Sequence, residues 1–305
     1  MPIYKFGYLI KGKREELGYT QEELADGICS VTTLSRIENG ERMPTKDHFT
    51  LLLQRLGYSD AMSNCFVDEK TFLKHELRYK IHQAIFDDKK DIAKQLFCDY
   101  QNNTSKTTPI EPQFVLLVQT LVFPEMFTLQ SKLDQLHTAI RITCPKYSVN
   151  KFPPLLSYEE ILILNCIAEC YFEEGNSDNA ISTLLKLKQY YEMKTVNSEE
   201  IQRTQPLILY SLAKYLGHVD RHDECIEICN MSIRVARETG QCRLLGEIFY
   251  IKAQVLMQRC VPGDVDSAKE SARLALYMAR IMGHMDMIRR YTHFITSTFH
   301  DDMLP

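Results

Sequence analysis

Three stretches of the chain repeat one another, and the repeat limits the fold more than any other feature. LNCIAECYFEEGNSDNAISTLLKL from Leu164, LYSLAKYLGHVDRHDECIEICNMS from Leu209 and FYIKAQVLMQRC followed by DVDSAKESARLAL from Phe249 align with one another. In the first two, a small residue (Ala168, Ala213) precedes a second small residue (Ala180, Cys225) by twelve positions. The third stretch repeats the pattern from Ala253 to Ala268, with a short insertion at Cys260 to Gly263. Small side chains at such positions let two helices approach closely, and recurrence along the chain stacks one helix pair on the next. Everything beyond residue 68 follows helical periodicity and is poor in strand alternation, so the expected class is all-α.

Upstream of the repeats, Phe72 to Phe86 and Ile92 to Tyr100 read as an antiparallel pair around the turn Asp87-Asp88-Lys89-Lys90. Phe114 to Phe123 and Met126 to Ile142 read as another, broken at Pro124, with loops expected at Gln101 to Pro112 and Lys146 to Pro154. Met285 to Phe299 is expected to cap the array. The helical hairpins resemble degenerate tetratricopeptide repeats. That resemblance implies a scaffold with a concave face whose common ligands are extended peptides.

The first residues carry a different signal. Thr20 with Glu23 forms a capping box that starts a short helix at Gln21. Asp26 and Gly27 stop it, and Ser30 starts a second helix in which Leu34 and Ile37 face inward. The outward edge of that helix holds Val31, Thr32, Thr33 and Arg36, and Asn39-Gly40 ends it. Two short helices around a tight turn are the geometry of a helix-turn-helix, whose second helix enters the major groove. Flanking helices are expected at Tyr4 to Leu17, with Phe6, Leu9, Ile10 and Leu17 as core contacts, and from Pro44-Thr45 to Leu56. A short apolar piece at Met62 to Val67 would make a five-helix module. The expected boundaries are residues 1–67 for the DNA-binding domain and 68–305 for the repeat domain.

The string T-Q-x-x-L-A through S-R-I-E-N-G, with Arg14 and Leu17-Gly18 before it and Pro44 after it, resembles the Xre-type, lambda-repressor-like DNA-binding domain. The resemblance implies an Arg14 to Glu38 ion pair tying the first helix to the third. Thr32, Thr33 and Arg36 are the candidates for base edges, and Val31 for a thymine methyl. Gln21 and Lys46 are assigned to phosphates, which position without specifying.

The combination of such a domain with about five helical hairpins resembles the RRNPP (PlcR/Rgg/NprR/PrgX) family of quorum-sensing regulators, closest to the PlcR-like branch. GIC with LSRIENG at Gly27 to Gly40, and ILNCIAECYFEEG at Ile163 to Gly175, carry the likeness. It implies a homodimer that reads a palindromic operator in double-stranded DNA and binds a short signalling peptide in its repeats. In this family an asparagine on a repeat helix holds the peptide backbone, and Asn165 falls at a matching place, whereas the next repeat has Tyr210 where a second asparagine is usual. Tyr210 and Tyr250 share the register of Asn165 in successive first helices, so the three form a candidate polar ladder, with interhelix packing as the alternative role. Three further readings stay open: a ligand-independent repressor whose repeats bind a partner protein, a regulator acting on response-regulator proteins, and a metal-responsive protein using His218, His222, Cys225 and Cys229.

Composition narrows the rest. The chain of 305 residues suggests about two domains. Its formal charge of −4 requires any nucleic-acid surface to be local, with Lys5, Lys11, Lys13, Arg36, Arg42 and Lys46 as the cations available. Ten cysteines without a secreted-type framework fit reduced thiols. MPIYKFGYLIKGK has no signal-peptide pattern, and the apolar run Phe114 to Phe123 is too short to span a bilayer, so the expected location is cytoplasmic, away from membranes. His75-Glu76 begins a zinc-protease motif, but Tyr79 stands where the second histidine would be. No phosphate loop, nucleophile elbow or paired-carboxylate motif stands out. Steps of four, three and four from His218 to Cys229 can place metal ligands on one helical face, yet Cys225 and Cys229 suit a repeat core as well. The expectation is a binding protein with no cofactor, no resident metal and no enzymatic activity.

Overall fold

A computed structural model describes all residues except 1–3, 58–68, 104–109, 149–152, 154, 194–198 and 300–305. The regular structure among the described residues is helical. The first four helices are α1 (Tyr4–Glu16), α2 (Gln21–Ala25), α3 (Val31–Glu38) and α4 (Lys46–Arg55). They are followed by α5 (Glu69–Phe86), α6 (Lys90–Asn103), α7 (Ile110–Val122), α8 (Leu129–Thr143) and α9 (Tyr158–Glu173). The series closes with α10 (Ser177–Met193), α11 (Glu199–His218), α12 (His222–Thr239), α13 (Leu245–Arg259), α14 (Asp264–Met282) and α15 (Met285–Phe299). The boundary expected at 67/68 and the helix expected at 62–67 lie outside the described residues, as do the side chains of Phe6 and Leu9.

The chain divides into two compact units, residues 1–174 with 190–202, and residues 175–189 with 203–305. In the first unit, α1 to α4 enclose Ile10, Leu24, Ala25, Leu34, Ile37 and Leu52, with Leu17 and Tyr19 packed against them. Leu155, from the segment before α9, is buried in the same core. Gly7 lets α1 approach the end of α3, because a Cβ there would lie 2.1 Å from the Ile37 carbonyl oxygen. A second core joins α5, α6 and α7 through Ile81, Ala93, Phe97, Tyr100, Phe114 and Val118.

The turn between α5 and α6 follows expectation, with Asp88 in the left-handed region at φ 52°. The loop expected at Gln101 to Pro112 is shorter than its sequence suggested. Helix α6 continues to Asn103 and α7 starts at Ile110, because Pro112 falls in a first helical turn, where a missing N–H costs nothing. In the second unit, Ala213 and Cys225 are fully buried, and the Cys225 thiol donates to the Ala213 carbonyl at 3.1 Å. Helices α13 and α14 close on Ala253, Ala272, Ala275 and Ala279, against which α15 lays Tyr291 and Ile295. Cys260 and Gly263 both take left-handed backbone, so the insertion folds as a turn. Among the described residues no helix is long and apolar enough to cross a membrane.

The first turn of α9 holds the first unit together. Ser157 and Glu160 form a capping box, with the Ser157 amide donating to Glu160 at 2.6 Å. The other Glu160 oxygen accepts from the Arg55 guanidinium of α4 at 2.8 Å. Arg55 also donates to the carbonyls of Leu24, Asp26 and Thr143, and both partners are buried. The adjacent Glu159 accepts from Arg78 of α5 at 2.6 Å, and Arg78 lies over the Phe114 ring. Gly27, in the turn between α2 and α3, abuts the end of α8: a Cβ there would sit 1.5 Å from the Thr143 carbonyl oxygen, and its φ is +75°.

Burial pushes the Glu160 carboxyl up, but the Arg55 charge and hydrogen bonds from Thr143, Ser157 and Arg55 outweigh it and hold its pKa below the ordinary value. Its contribution is therefore complete above an unfolded-state pKa of about 4.3 and is lost as pH falls through the lower folded-state value. Glu160→Gln is expected to flatten the acid dependence of the urea midpoint in that window. Arg55→Met leaves a buried carboxylate without its counter-charge and should cost about 3–5 kcal/mol in urea unfolding. An unchanged midpoint would show that the pair does not hold the unit.

Candidate functional site

Helix α3 is set by local bonds at its start and by a distant arginine at its end. The Ser30 hydroxyl accepts the Thr33 amide at 3.1 Å and shares a 2.9 Å hydrogen bond with the Thr33 hydroxyl. Upstream, Thr20 and Glu23 make the capping box on α2, with bonds of 2.8 and 3.1 Å. Leu34 and Ile37 are buried, which turns the opposite edge of α3 to solvent. On that edge Thr32 and Arg36 are exposed, Val31 is 39% exposed and Thr33 is half-buried. Arg42 is exposed beyond the helix, and Lys46, in the first turn of α4, is half-buried.

Arg14 reaches α3 from α1. Its Nε and Nη2 donate to the two Glu38 oxygens at 2.7 and 2.9 Å, and Nη1 donates to the Tyr19 carbonyl at 2.8 Å. Such a two-point fork fixes orientation as well as distance. Bonding to Glu38 raises the Arg14 pKa above its ordinary value. Gln21, assigned from sequence to a phosphate, donates its amide to Glu38 at 2.8 Å in this structure. The carboxylate thus gathers α1, α2 and α3 at one point, and Arg55 separately holds the α2–α3 turn to α8 and α9.

The residues singled out in the repeats have different surroundings. Asn165, on α9, is half-buried, and its buried Oδ1 has no hydrogen-bond partner among the described residues. Tyr210 is half-buried on α11. Tyr250 stacks on Tyr291 at 4.5 Å, meets Phe294 edge-on at 5.3 Å and has the Arg290 guanidinium 4.9 Å from its ring centre. Its ring is occupied in packing α13 on α15, the alternative role weighed for it. Within the proposed ladder, Asn165 is the member whose buried side-chain oxygen has no hydrogen-bond partner among the described residues.

Cys225 and Cys229 are buried neighbours on α12, and a hydrogen bond between them raises the Cys229 thiol while lowering that of Cys225. His218 lies 2.7 Å from the Lys214 carbonyl of its own helix, and His222 faces Asp220 at 3.4 Å. No three potential ligands converge among the described residues. Sequence reasoning missed Arg55, Arg78, Glu159 and Glu160. The Ser157-x-x-Glu160 spacing carries a helix-start signal, but nothing local marks its arginine partners.

Residues 10–61 match the family model for a helix-turn-helix, and residues 147–294 match the RNPP family C-terminal domain. The chain is similar to the transcriptional activator NprA of Geobacillus stearothermophilus, with 23% identity over 277 residues. The match takes in 88% of this chain and 62% of that relative, so the chain spans less than two thirds of the relative's length. In fold it is similar to Bacillus thuringiensis PlcR in complex with the peptide PapR7 and DNA, at a TM-score of 0.60, 17% identity and coverage of 96% and 99% of the two chains. The apo form of the same protein gives a TM-score of 0.58, 16% identity and coverage of 97% and 99%. The fold is thus an N-terminal helix-turn-helix followed by tetratricopeptide-like helical repeats.

Ser30→Ala removes the acceptor of the Thr33 amide and is expected to cost about 1 kcal/mol at the start of α3. Hydrogen exchange should register faster exchange of the Thr33 amide, with protection at Leu52 in the core of α4 retained. Uniform loss of protection across the helices would mean that the cap holds more than its own helix.

Proposed function

We propose that this chain, a member of the RNPP family, is a sequence-specific DNA-binding transcriptional regulator whose repeat domain senses a short signalling peptide. The observation that carries the reading is α3: one edge is locked into the core by Leu34, Ile37 and the Glu38–Arg14 pair, and the other offers Val31, Thr32 and Arg36 to solvent. Arg36 can fork onto a guanine edge, Thr32 and Thr33 can bond to bases, and the Val31 methyls suit a thymine methyl. Lys46 is assigned to a phosphate once its buried Nζ swings out to solvent, as is Gln21 once it exchanges its bond to Glu38 for one to DNA.

Asn165 supports the peptide half of the reading. An amide oxygen buried without a partner costs free energy that a peptide N–H would recover. NprA is named as a transcriptional activator, and PlcR has been seen with a peptide and DNA together; both fit the same reading. Asn165 lies on α9, the helix whose first turn holds Arg55, which in turn bonds to the Asp26 carbonyl at the α2–α3 turn. A peptide that binds one position of α9 better than another therefore biases the placement of α3. The protein acts as a homodimer on a palindromic operator in the cytoplasm, by binding and not by catalysis. For the dimer contact we assign the exposed apolar face where α14 meets α15, with Tyr277, Ile281, Met282 and Met285 in solvent and Ile281 76% exposed.

Fluorescence anisotropy on the protein's own upstream DNA, at fixed salt, tests the reading with peptides from small neighbouring reading frames. Arg36→Ala is expected to weaken operator binding by about 1–3 kcal/mol and leave nonspecific binding nearly unchanged. Asn165→Ala should abolish the peptide effect and preserve basal DNA binding. If no peptide alters DNA affinity in the wild-type protein, a protein partner for the repeats replaces the peptide.

A further inference from the structure

Helices α12, α13 and α14 border an open cleft of about 370 Å³ within the second unit. Its apolar lining is Ile233 from α12, Phe249 from α13 and Leu274 from α14. Phe249 packs against the core of Ala253, Ala272 and Ala275, so the wall is backed by fixed structure. Leu274 is 37% exposed, which leaves apolar surface open at the mouth.

The polar lining is unbalanced in charge. Arg234, Arg237 and Lys252 border the cavity with Glu270 as the carboxylate among its lining residues. In a chain of formal charge −4 this local excess of cations runs against the overall balance. Arg234 and Arg237 stand three apart on one helix, where like charges repel. Both are exposed, and neither has a hydrogen-bond or ion-pair partner among the described residues. Lys252 is held by a 2.8 Å bond to Asn230 and keeps further donors free.

We propose that this cavity binds a small amphipathic carboxylate, its apolar body against Phe249, Ile233 and Leu274 and its anion on Arg234 and Arg237. Guanidinium groups bind carboxylates through two parallel bonds, and the apolar wall rejects an anion without a body. The volume lies at the lower end of the range for small-molecule sites, about 300–1,000 Å³, so a folded partner does not fit. The carboxylate belongs either to the C-terminal end of a short peptide or to a free arylalkanoate. The site uses none of Asn165, Tyr210 or Tyr250, and stands or falls apart from the peptide reading.

Isothermal titration of the full chain at low salt tests it with phenylbutyrate, phenylbutyramide, acetyl-Leu-Leu with a free C-terminus, its C-terminal amide and inorganic phosphate. Each acid is expected to bind at least about tenfold more tightly than its uncharged amide, with affinity falling as salt rises. Tighter binding of the dipeptide acid would assign the site to a chain terminus, and tighter phenylbutyrate to a free carboxylate. Arg234→Gln combined with Arg237→Gln should remove most of the difference between acid and amide, and Leu274→Asp should weaken both acids. The circular dichroism of these variants should stay unchanged, since the substituted side chains are at least partly exposed. Equal binding of acid and amide, phosphate binding as well as phenylbutyrate, wild-type affinity in the double variant, or no binding of any probe would each overturn the proposal.

Discussion

Two adjacent carboxylates at the start of one helix organise the first unit. Glu159 and Glu160 lie in the first turn of α9, where the helix dipole favours negative charge, and each takes an arginine from a different element. Arg78 brings α5, and Arg55 brings α4 together with the carbonyls that close α2 and α8. Removed from water, these ions would be costly if unpaired. Their hydrogen bonds are therefore the condition on which α4 and α5 can dock against α9.

Buried pairs of this kind contribute little net stability over a well-packed apolar contact, yet they tolerate few alternatives. An apolar contact between α4 and α9 could slide by a fraction of a turn at small cost. A guanidinium that must reach Glu160 and three backbone carbonyls together has far less freedom. Gly27 adds a steric limit at the same place, since only a residue without a Cβ lets the α2–α3 turn meet Thr143. The turn before α3 is positioned by α8 and α9 as well as by its own helices.

Local signals were readable from sequence and distant ones were not. The Thr20–Glu23 box, the Ser30 start and the ends of the flanking helices near Leu17 and Leu56 are written within three or four residues, and the structure has them within one residue of those positions. Close helix approach at Ala213 and Cys225 was legible because small residues recur at a fixed spacing. The loop at Gln101 to Pro112 misled because Pro112 looks like a breaker unless the helix begins just before it. Arg55 and Glu160 lie 105 residues apart, and neither looks unlike a surface charge. Their burial is a property of the assembled helices and leaves no periodic trace. Tyr250 shares the register of Asn165, but only the position of α15 decides that its ring is packed against Tyr291.

The same geometry limits how a ligand could act. Asn165 lies little more than one turn along α9 from Glu160, so on the proposed reading a shift of α9 that closes on a peptide is carried to the carboxylate with little loss. The response of the Arg55 pair is not proportional to such a shift. A desolvated ion pair is either within bonding distance or is replaced by another arrangement, and packed interiors do not deform continuously. On the proposed reading, the Arg55–Glu160 contact converts a small displacement at Asn165 into a choice between two placements of α3. The strength of signalling is then set by the difference in peptide affinity for those two placements, and a peptide that fits both equally well has no effect however tightly it binds.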